Sequence, residues 1–379
     1  MKVLYLSEIQ WLSQVSRKHL IVRRFPRDWE VLFLSPLNLK ADENSFVTRR
    51  DAACPNVRYR SLALPKPDAR SALLRSLSPA LGVLGRAIVG RLAGGFAPDV
   101  AVCSNIWMAP AASDLRARGV PVVYDLNDLH TEFYPACRER AEAMFRRLVG
   151  LASEVVASSE HLHRVAGRGV VIGNGVDLDT FDGRRDVSPP AGVAGSTLAA
   201  CDDLVAYVGS VDDRIDPAFV ARLLERLAES GRSVGLVLVG RVFDVALAWK
   251  ERLEARFPDR VLFTGRVPYD ALPALLAQAS VGIAPFARSA RTAAINPNKL
   301  YMYAAMGLNV VSTPFSAEVE RHGDIVYIAS EPDAFADSVM AALDDRRRRA
   351  VVRERIAVPN GWDEKALRFR ELLTSLAAR

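Results

Sequence analysis

The sequence predicts a doubly wound α/β protein built from two Rossmann-like domains, and three observations carry that prediction. Short apolar runs recur along the whole chain with amphipathic segments between them. The same strand–helix alternation occupies both halves. A stretch rich in Gly, Pro, Ser and Ala, with Ser188-Pro189-Pro190 inside it, divides them. The expected division is a first domain over 1–183, a linker over 184–203, a second domain over 204–360 and a C-terminal helical segment over 361–379 that packs back on the first domain.

In the first half the apolar runs place strands at Val3–Leu6, Val31–Leu34, Val100–Cys103, Val120–Tyr124, Val155–Ala157 and Val170–Ile172. In the second half they place strands at Leu204–Val208, Gly235–Val239, Val261–Thr264, Val281–Ala284, Asn309–Ser312 and Ile325–Ile328. Helical periodicity fills the gaps, as in Pro217–Ser230, Tyr269–Ala279 and Trp362–Leu376. Ligands of open α/β sheets sit beyond the carboxyl ends of the strands. The chemistry is therefore expected on post-strand loops, in a cleft between the two domains.

Length and composition agree with this. A chain of 379 residues exceeds what one core usually supports. With 50% apolar and 25% charged residues it has globular rather than disordered composition. No apolar run reaches the ~18–20 residues of a bilayer span, and Met1–Glu8 meets an acid before a signal-peptide core could form. The expectation is a cytoplasmic protein. The cysteines Cys54, Cys103, Cys137 and Cys201 are dispersed without a CxxC pair, which fits reduced thiols and not a zinc site. The net charge of +6 suits anionic partners without choosing among them. The run Arg346–Arg349 has no interleaved aromatics and reads as a solvated helix face, so no nucleic-acid partner is expected.

Among the loops, Ile295-Asn296-Pro297-Asn298-Lys299-Leu300-Tyr301-Met302-Tyr303 is the richest, following a loop with Arg288 and Arg291. Asn-Pro followed by helix formers puts Lys299 in a first helical turn. A cation beside free helix-terminal amides is unfavourable unless an anion is bound there, which makes Lys299 and Asn298 candidate diphosphate ligands. In Tyr207-Val208-Gly209-Ser210-Val211-Asp212-Asp213-Arg214, Gly209 ends a strand and allows close ligand approach, while Arg214 is either a second phosphate cation or the partner of Asp212 or Asp213. The first-domain loop Tyr124–Glu132 gathers Asp125, Asp128, His130 and Glu132 past a buried strand. Asp128 there is a general base or a helix cap; both readings stay open on the residues alone. Asp177-Leu178-Asp179 reads as a turn, and His161 and His163, two apart on a helix, point apart, so no metal is expected. The stretch Arg70–Phe96, with Arg75, Arg86 and Arg91, could rest on anionic lipid or pack on the first sheet.

Taken together, Val171–Asp177, Tyr207-Val208-Gly209, Leu238-Val239-Gly240-Arg241, Phe263–Pro273 and Asn296–Tyr301 resemble the GT-B glycosyltransferases over nearly the whole chain. The second half looks like bacterial family-4-type sugar transferases of polysaccharide and glycolipid assembly. The Tyr124–Asp128 loop resembles xanthan-type glucuronosyltransferases, in which the aligned aspartate is the base. The resemblance implies that the second domain binds a nucleotide-sugar, a UDP-sugar, with Lys299 and Arg214 on the diphosphate and the Gly240-Arg241 and Arg266-Val267 loops around the nucleotide. It implies a saccharide or lipid-linked saccharide acceptor on the first domain, with Glu8, Trp11 and His130 on the acceptor side, and contact with the inner membrane face. No metal or other cofactor is implied. Retaining family-4 members carry two glutamates eight positions apart; here those positions are Ala294 and Met302. Their absence, with Asp128 available, favours inversion. A sugar-nucleotide 2-epimerase of the same fold and a catalytically degenerate scaffold subunit are the competing readings.

Overall fold

The computed structural model describes residues 1–13, 15–37, 44–64, 72–182 and 197–379. The chain forms two compact units, Met1–Gly173 with Asp363–Arg379, and Asn174–Trp362. Most of the Gly/Pro/Ser-rich segment at 184–203 lies outside the described residues, as does Arg70.

The first unit contributes β1 (Lys2–Leu6), β2 (Glu30–Pro36), β3 (Arg49–Arg50), β4 (Val57–Leu62), β5 (Val100–Cys103), β6 (Val122–Leu126), β7 (Glu154–Ala157) and β8 (Val170–Val171). These join in the order β3-β4-β2-β1-β5-β6-β7-β8. All pairs are parallel except β3–β4. The central strands β1 and β5 are apolar and almost wholly buried, as a sheet covered by helices on both faces requires. The sheet reverses its winding between β1 and β5, so a crevice opens past the ends of those two strands.

The β3–β4 edge was not legible as strand. In β4, next to the short edge strand β3, Val57-Arg58-Tyr59-Arg60 alternates buried apolar residues with half-buried arginines, and the alternation hides the strand from a search for apolar runs. The Ala72–Phe96 helix buries Val89, Ala93 and Phe96 while Leu77, Val83 and Leu84 stay exposed. It therefore packs on its own unit and also presents an apolar face. Arg86 on it pairs with Asp114.

The second unit contributes β9 (Asp203–Val208), β10 (Val234–Val239), β11 (Val261–Gly265), β12 (Ala279–Ala284), β13 (Asn309–Ser312) and β14 (Tyr327–Ile328). They form an all-parallel sheet in the order β11-β10-β9-β12-β13-β14. Its reversal falls between β9 and β12. The segment expected as one helix over Tyr269–Ala279 is instead a 3-10 turn at Tyr269–Ala271, a short helix Leu272–Leu276 with Pro273 in its first turn, and then the start of β12.

The Arg346–Arg349 run also departs from expectation. Arg348 donates to the Ile325 carbonyl and Arg349 to the Gly307 carbonyl and Ser280, so half of the run faces inward. Arg353 donates to the Ala305 carbonyl at 2.7 Å. Arg349 and Arg353 thereby satisfy carbonyls at the end of the Asn298–Ala305 helix, where cations also suit the helix dipole.

Candidate functional site

In the second unit the Asn298–Ala305 helix starts after Pro297, and Lys299 is its second residue. The side chain is 8% exposed and lies between two rings. Its Nζ is 3.8 Å from the Tyr207 ring centroid and 4.2 Å from that of Phe286. Tyr207 belongs to β9 and Phe286 follows β12, so the ammonium sits at the point where the sheet reverses. No carboxylate among the described residues lies within ion-pair distance of it. Burial, and then the nearby Arg214 charge, push the Lys299 ammonium well below its usual pKa, with Asp212 opposing. A buried ammonium between π faces, with no ion-pair partner among the described residues, is costly to keep charged.

The loops around it approach closely. Gly209 has φ +139, and a Cβ there would lie 3.0 Å from Lys299 Nζ. Gly240 has φ +144 and receives the Gly209 carbonyl where its own Cβ would be. Asn298 Oδ1 is buried with no hydrogen-bond partner among the described residues. Arg214 is held by Asp212, with Nη2 2.7 Å from Oδ2, and its guanidinium lies 5.5 Å from the Phe286 ring centroid. Burial would raise the Asp212 carboxyl, but the hydrogen bonds and charge of Arg214 hold it below its usual value. Arg214 thus serves as Asp212's partner, and its charge also acts on Lys299.

Arg241 is exposed and stacks on Phe243 at 4.6 Å. Arg266 is exposed after β11, and Val267 packs against the core. Arg291 pairs with Asp213, while Arg288 is exposed. Tyr303 fixes the helix in place: its Oη accepts from the Val208 N–H at 2.7 Å, and its ring lies where a Cβ on residue 282 would be. Its role, like those of Tyr207 and Phe286, was missed in the sequence. Their aromatic type was visible, but core packing explains such residues equally well.

In the first unit, polar groups gather past β1 and β5. Glu8 Oε1 accepts from Lys18 and, at 3.2 Å, from Asn127 Nδ2; Oε2 accepts from Ser104 Oγ at 2.5 Å. Burial would raise the Glu8 carboxyl, but Lys18, His130 and these hydrogen bonds hold it below its usual value. His130 is 7% exposed, and its Nε2 lies 3.3 Å from Asn127 Oδ1. Asp128 is half-buried, and its carbonyl accepts from the His130 N–H. Asp125 is fully buried, its oxygens taken by Tyr5 at 2.8 Å and Arg17 at 3.0 Å. Glu132 pairs with Arg138. Trp11 is 3% exposed, with its ring against His19 and Phe33 and its N–H on Asp51. Lys18, Ser104 and Asn127 had given no sequence signal beyond their place near strand ends.

Two other sequence features resolve simply. Asp177 accepts from Thr180 and its carbonyl from the Phe181 N–H, closing a turn. His163 meets the Gly169 carbonyl at 3.0 Å.

Residues 202–345 match the family described as glycosyl transferases group 1. The second unit carries a glycosyl transferase group 1 domain. Gly209, Arg214, Gly240, Arg241, Arg266, Val267, Asn298 and Lys299 all fall inside the group 1 domain, whereas Glu8, Asp128 and His130 lie outside the match. Over 249 residues the chain is 24% identical to a Bacillus subtilis (strain 168) protein named as the teichuronic acid biosynthesis glycosyltransferase TuaH. That likeness covers 63% of this chain and 56% of the relative, so the chain spans about half the length of the curated relative it matches.

The solved structures are more distant in sequence. Sucrose-phosphate synthase of Thermosynechococcus elongatus aligns with a TM-score of 0.77 and 16% identity, over 100% of this chain and 99% of that one. An α,α-trehalose-phosphate synthase (UDP-forming) of Burkholderia xenovorans, solved with glucose-6-phosphate, gives 0.73 and 14%, over 98% and 99%. The E. coli trehalose-6-phosphate protein bound with UDP-2-fluoro glucose gives 0.72 and 12%, over 98% and 99%. The fold is GT-B, and the group 1 domain is one of its two parallel-sheet α/β units.

Proposed function

We propose that this protein is a glycosyltransferase that moves a sugar from a nucleotide diphosphate-sugar, a UDP-sugar, to a saccharide or lipid-linked saccharide acceptor. One observation carries the reading: the buried Lys299 ammonium, at the start of a helix inside a group 1 domain, has aromatic faces and, among the described residues, no carboxylate within ion-pair distance. A diphosphate supplies the missing charge, and Asn298 and the Gly209 turn line its approach. As a leaving group it develops negative charge during transfer, and a preorganised cation stabilises that charge without rearranging. UDP is favoured because two relatives of the same fold are described as UDP-forming or as bound with a UDP-sugar.

Asp128 is the proposed base on the acceptor unit, taking the proton of the attacking hydroxyl. Such a group contributes about 10²–10⁴-fold to the rate. Without the glutamate pair at 294 and 302, transfer proceeds by direct displacement with inversion, and no metal is required. The likeness to a protein named for teichuronic acid assembly supports a polysaccharide or glycolipid product. The exposed Leu77, Val83 and Leu84 beside arginines support contact with an anionic membrane surface. The group 1 match favours transfer over the epimerase reading.

The test is thermal stabilisation by UDP, GDP, dTDP and their sugars, since a ligand of the native state raises apparent stability by mass action. UDP should stabilise the wild type and Asp128→Asn alike, with transfer lost in Asp128→Asn. Stabilisation without turnover on any acceptor would favour the scaffold reading. No stabilisation by any nucleotide would overturn the donor site.

A further inference from the structure

The hydrogen bonds past β1 and β5 fix the state of a histidine that the base assignment does not use. Glu8 is ionised, and an ionised carboxylate only accepts hydrogen bonds. The Asn127 side chain must therefore turn its NH2 toward Glu8 Oε1, 3.2 Å away. Its carbonyl oxygen then faces His130 Nε2 at 3.3 Å, and a carbonyl oxygen likewise only accepts. His130 must carry its proton on Nε2, which leaves Nδ1 with a lone pair when the ring is neutral. Lys18 and Ser104 anchor Glu8, and Ser158 Oγ donates to the backbone carbonyl of Asn127 at 3.1 Å, which holds the loop that carries its side chain. The relay Lys18–Glu8–Asn127–His130 is thus oriented from its buried end outward, and no described residue hydrogen-bonds Nδ1.

We propose that His130 Nδ1 accepts a hydrogen bond from a hydroxyl of the acceptor sugar, with Asn127 and Glu8 as the residues that set its tautomer. The assignment rests on the glycosyltransferase reading for the identity of the ligand, and on the hydrogen-bond polarity alone for the state of the ring. Burial pushes the His130 ring below its usual pKa, so it is neutral near pH 7. The charges that act on it are Glu8, Asp128 and Asp125, which favour protonation, and Lys18, which opposes it. Acid converts Nδ1 from acceptor to donor and so weakens the proposed contact.

The experiment is long-range proton–nitrogen NMR on histidine-labelled full-length protein, with UDP present. At pH 7 His130 should be found in the Nε2–H form, and Asn127→Leu should release it to a mixture of tautomers. Methyl glycosides of glucose, galactose, mannose and glucuronic acid are then added, and at least one should move the Nδ1 signal. In a transfer assay with that glycoside, His130→Ala should raise the half-saturating concentration about five- to tenfold. His130→Asn, which offers an amide oxygen near Nδ1 but cannot be protonated, should recover most of it and lose the acid limb. An Nδ1–H ring in the wild type, or no glycoside response at Nδ1, overturns the inference. Stabilisation by UDP with a silent His130 leaves the donor reading standing. A glycoside response without any nucleotide binding leaves the histidine contact and removes the transferase reading.

Discussion

A Cβ on residue 240 would lie 2.0 Å from the carbonyl oxygen of Gly209, so the ends of β9 and β10 approach closer than any side chain allows. The same residue has φ +144, a conformation that L side chains rarely adopt. Gly240→Ala should therefore destabilise the second unit by at least about 2 kcal/mol, from strain and overpacking together. A urea titration checks it: the midpoint should fall with an unchanged slope. An unchanged midpoint would mean that the two turns separate without cost.

Lys299→Ala should weaken UDP binding by about 1.5–3 kcal/mol, roughly 10- to 100-fold in Kd, the range for hydrogen bonds to charged groups. The same site predicts proton uptake. The free ammonium is pushed well below its usual pKa, and a bound diphosphate favours the charged form and raises it again. Affinity for UDP should fall as pH rises through the pKa of the free protein. Calorimetry in two buffers of different ionisation enthalpy reads the uptake directly, and it should vanish in Lys299→Ala.

Tyr303→Phe isolates the anchoring of the Lys299 helix. The phenol oxygen is the partner of the buried Val208 N–H at 2.7 Å and also donates to the Ile283 carbonyl at 3.3 Å. Its removal leaves an N–H unsatisfied next to Gly209, at a cost of about 1–3 kcal/mol in stability. Because Lys299 then loses its fixed place between Tyr207 and Phe286, UDP affinity should fall as well. Denaturation and calorimetry on one preparation separate the two effects.

How much of this was legible follows from which residues have one physical reading and which have two. The central strands have one: runs such as Val100–Cys103 and Leu204–Val208 are apolar on both faces because helices cover both, and their positions match the structure within one or two residues. The place of Lys299 in a first helical turn was legible because Asn-Pro starts a helix. Arg58 and Arg60 concealed β4 because they alternate with its buried residues. Tyr207, Phe286 and Tyr303 read as core, and they are core; their second use depends on which loops the sheet order brings together. That order, with its reversals at β1/β5 and β9/β12, is set by long-range pairing and is not written in any local stretch. The Asn127 relay is likewise a matter of hydrogen-bond direction between segments 119 residues apart.

His19 is fully buried and makes the first unit sensitive to acid. The ring Nδ1 accepts from the Ser16 N–H at 3.2 Å, and Nε2 lies 2.9 Å from the Trp11 carbonyl, to which it must donate. The ring is therefore neutral with its proton on Nε2, and a second proton would displace the Ser16 contact. Burial lowers its pKa to about 4. In the unfolded chain the ring titrates near 6.5, so between those values the unfolded state binds a proton that the native state does not. The stabilisation is fully present above pH 6.5 and is lost as pH falls toward 4, reaching roughly 3 kcal/mol. Urea titrations at pH 7.0, 5.5 and 4.5 (set values) should show this decline. In His19→Gln, which keeps an uncharged polar side chain, the curve over the same window should be flatter. A parallel decline in both proteins would place the acid sensitivity elsewhere, with the buried carboxylate Glu8, held below its usual value, the next group to examine by substitution.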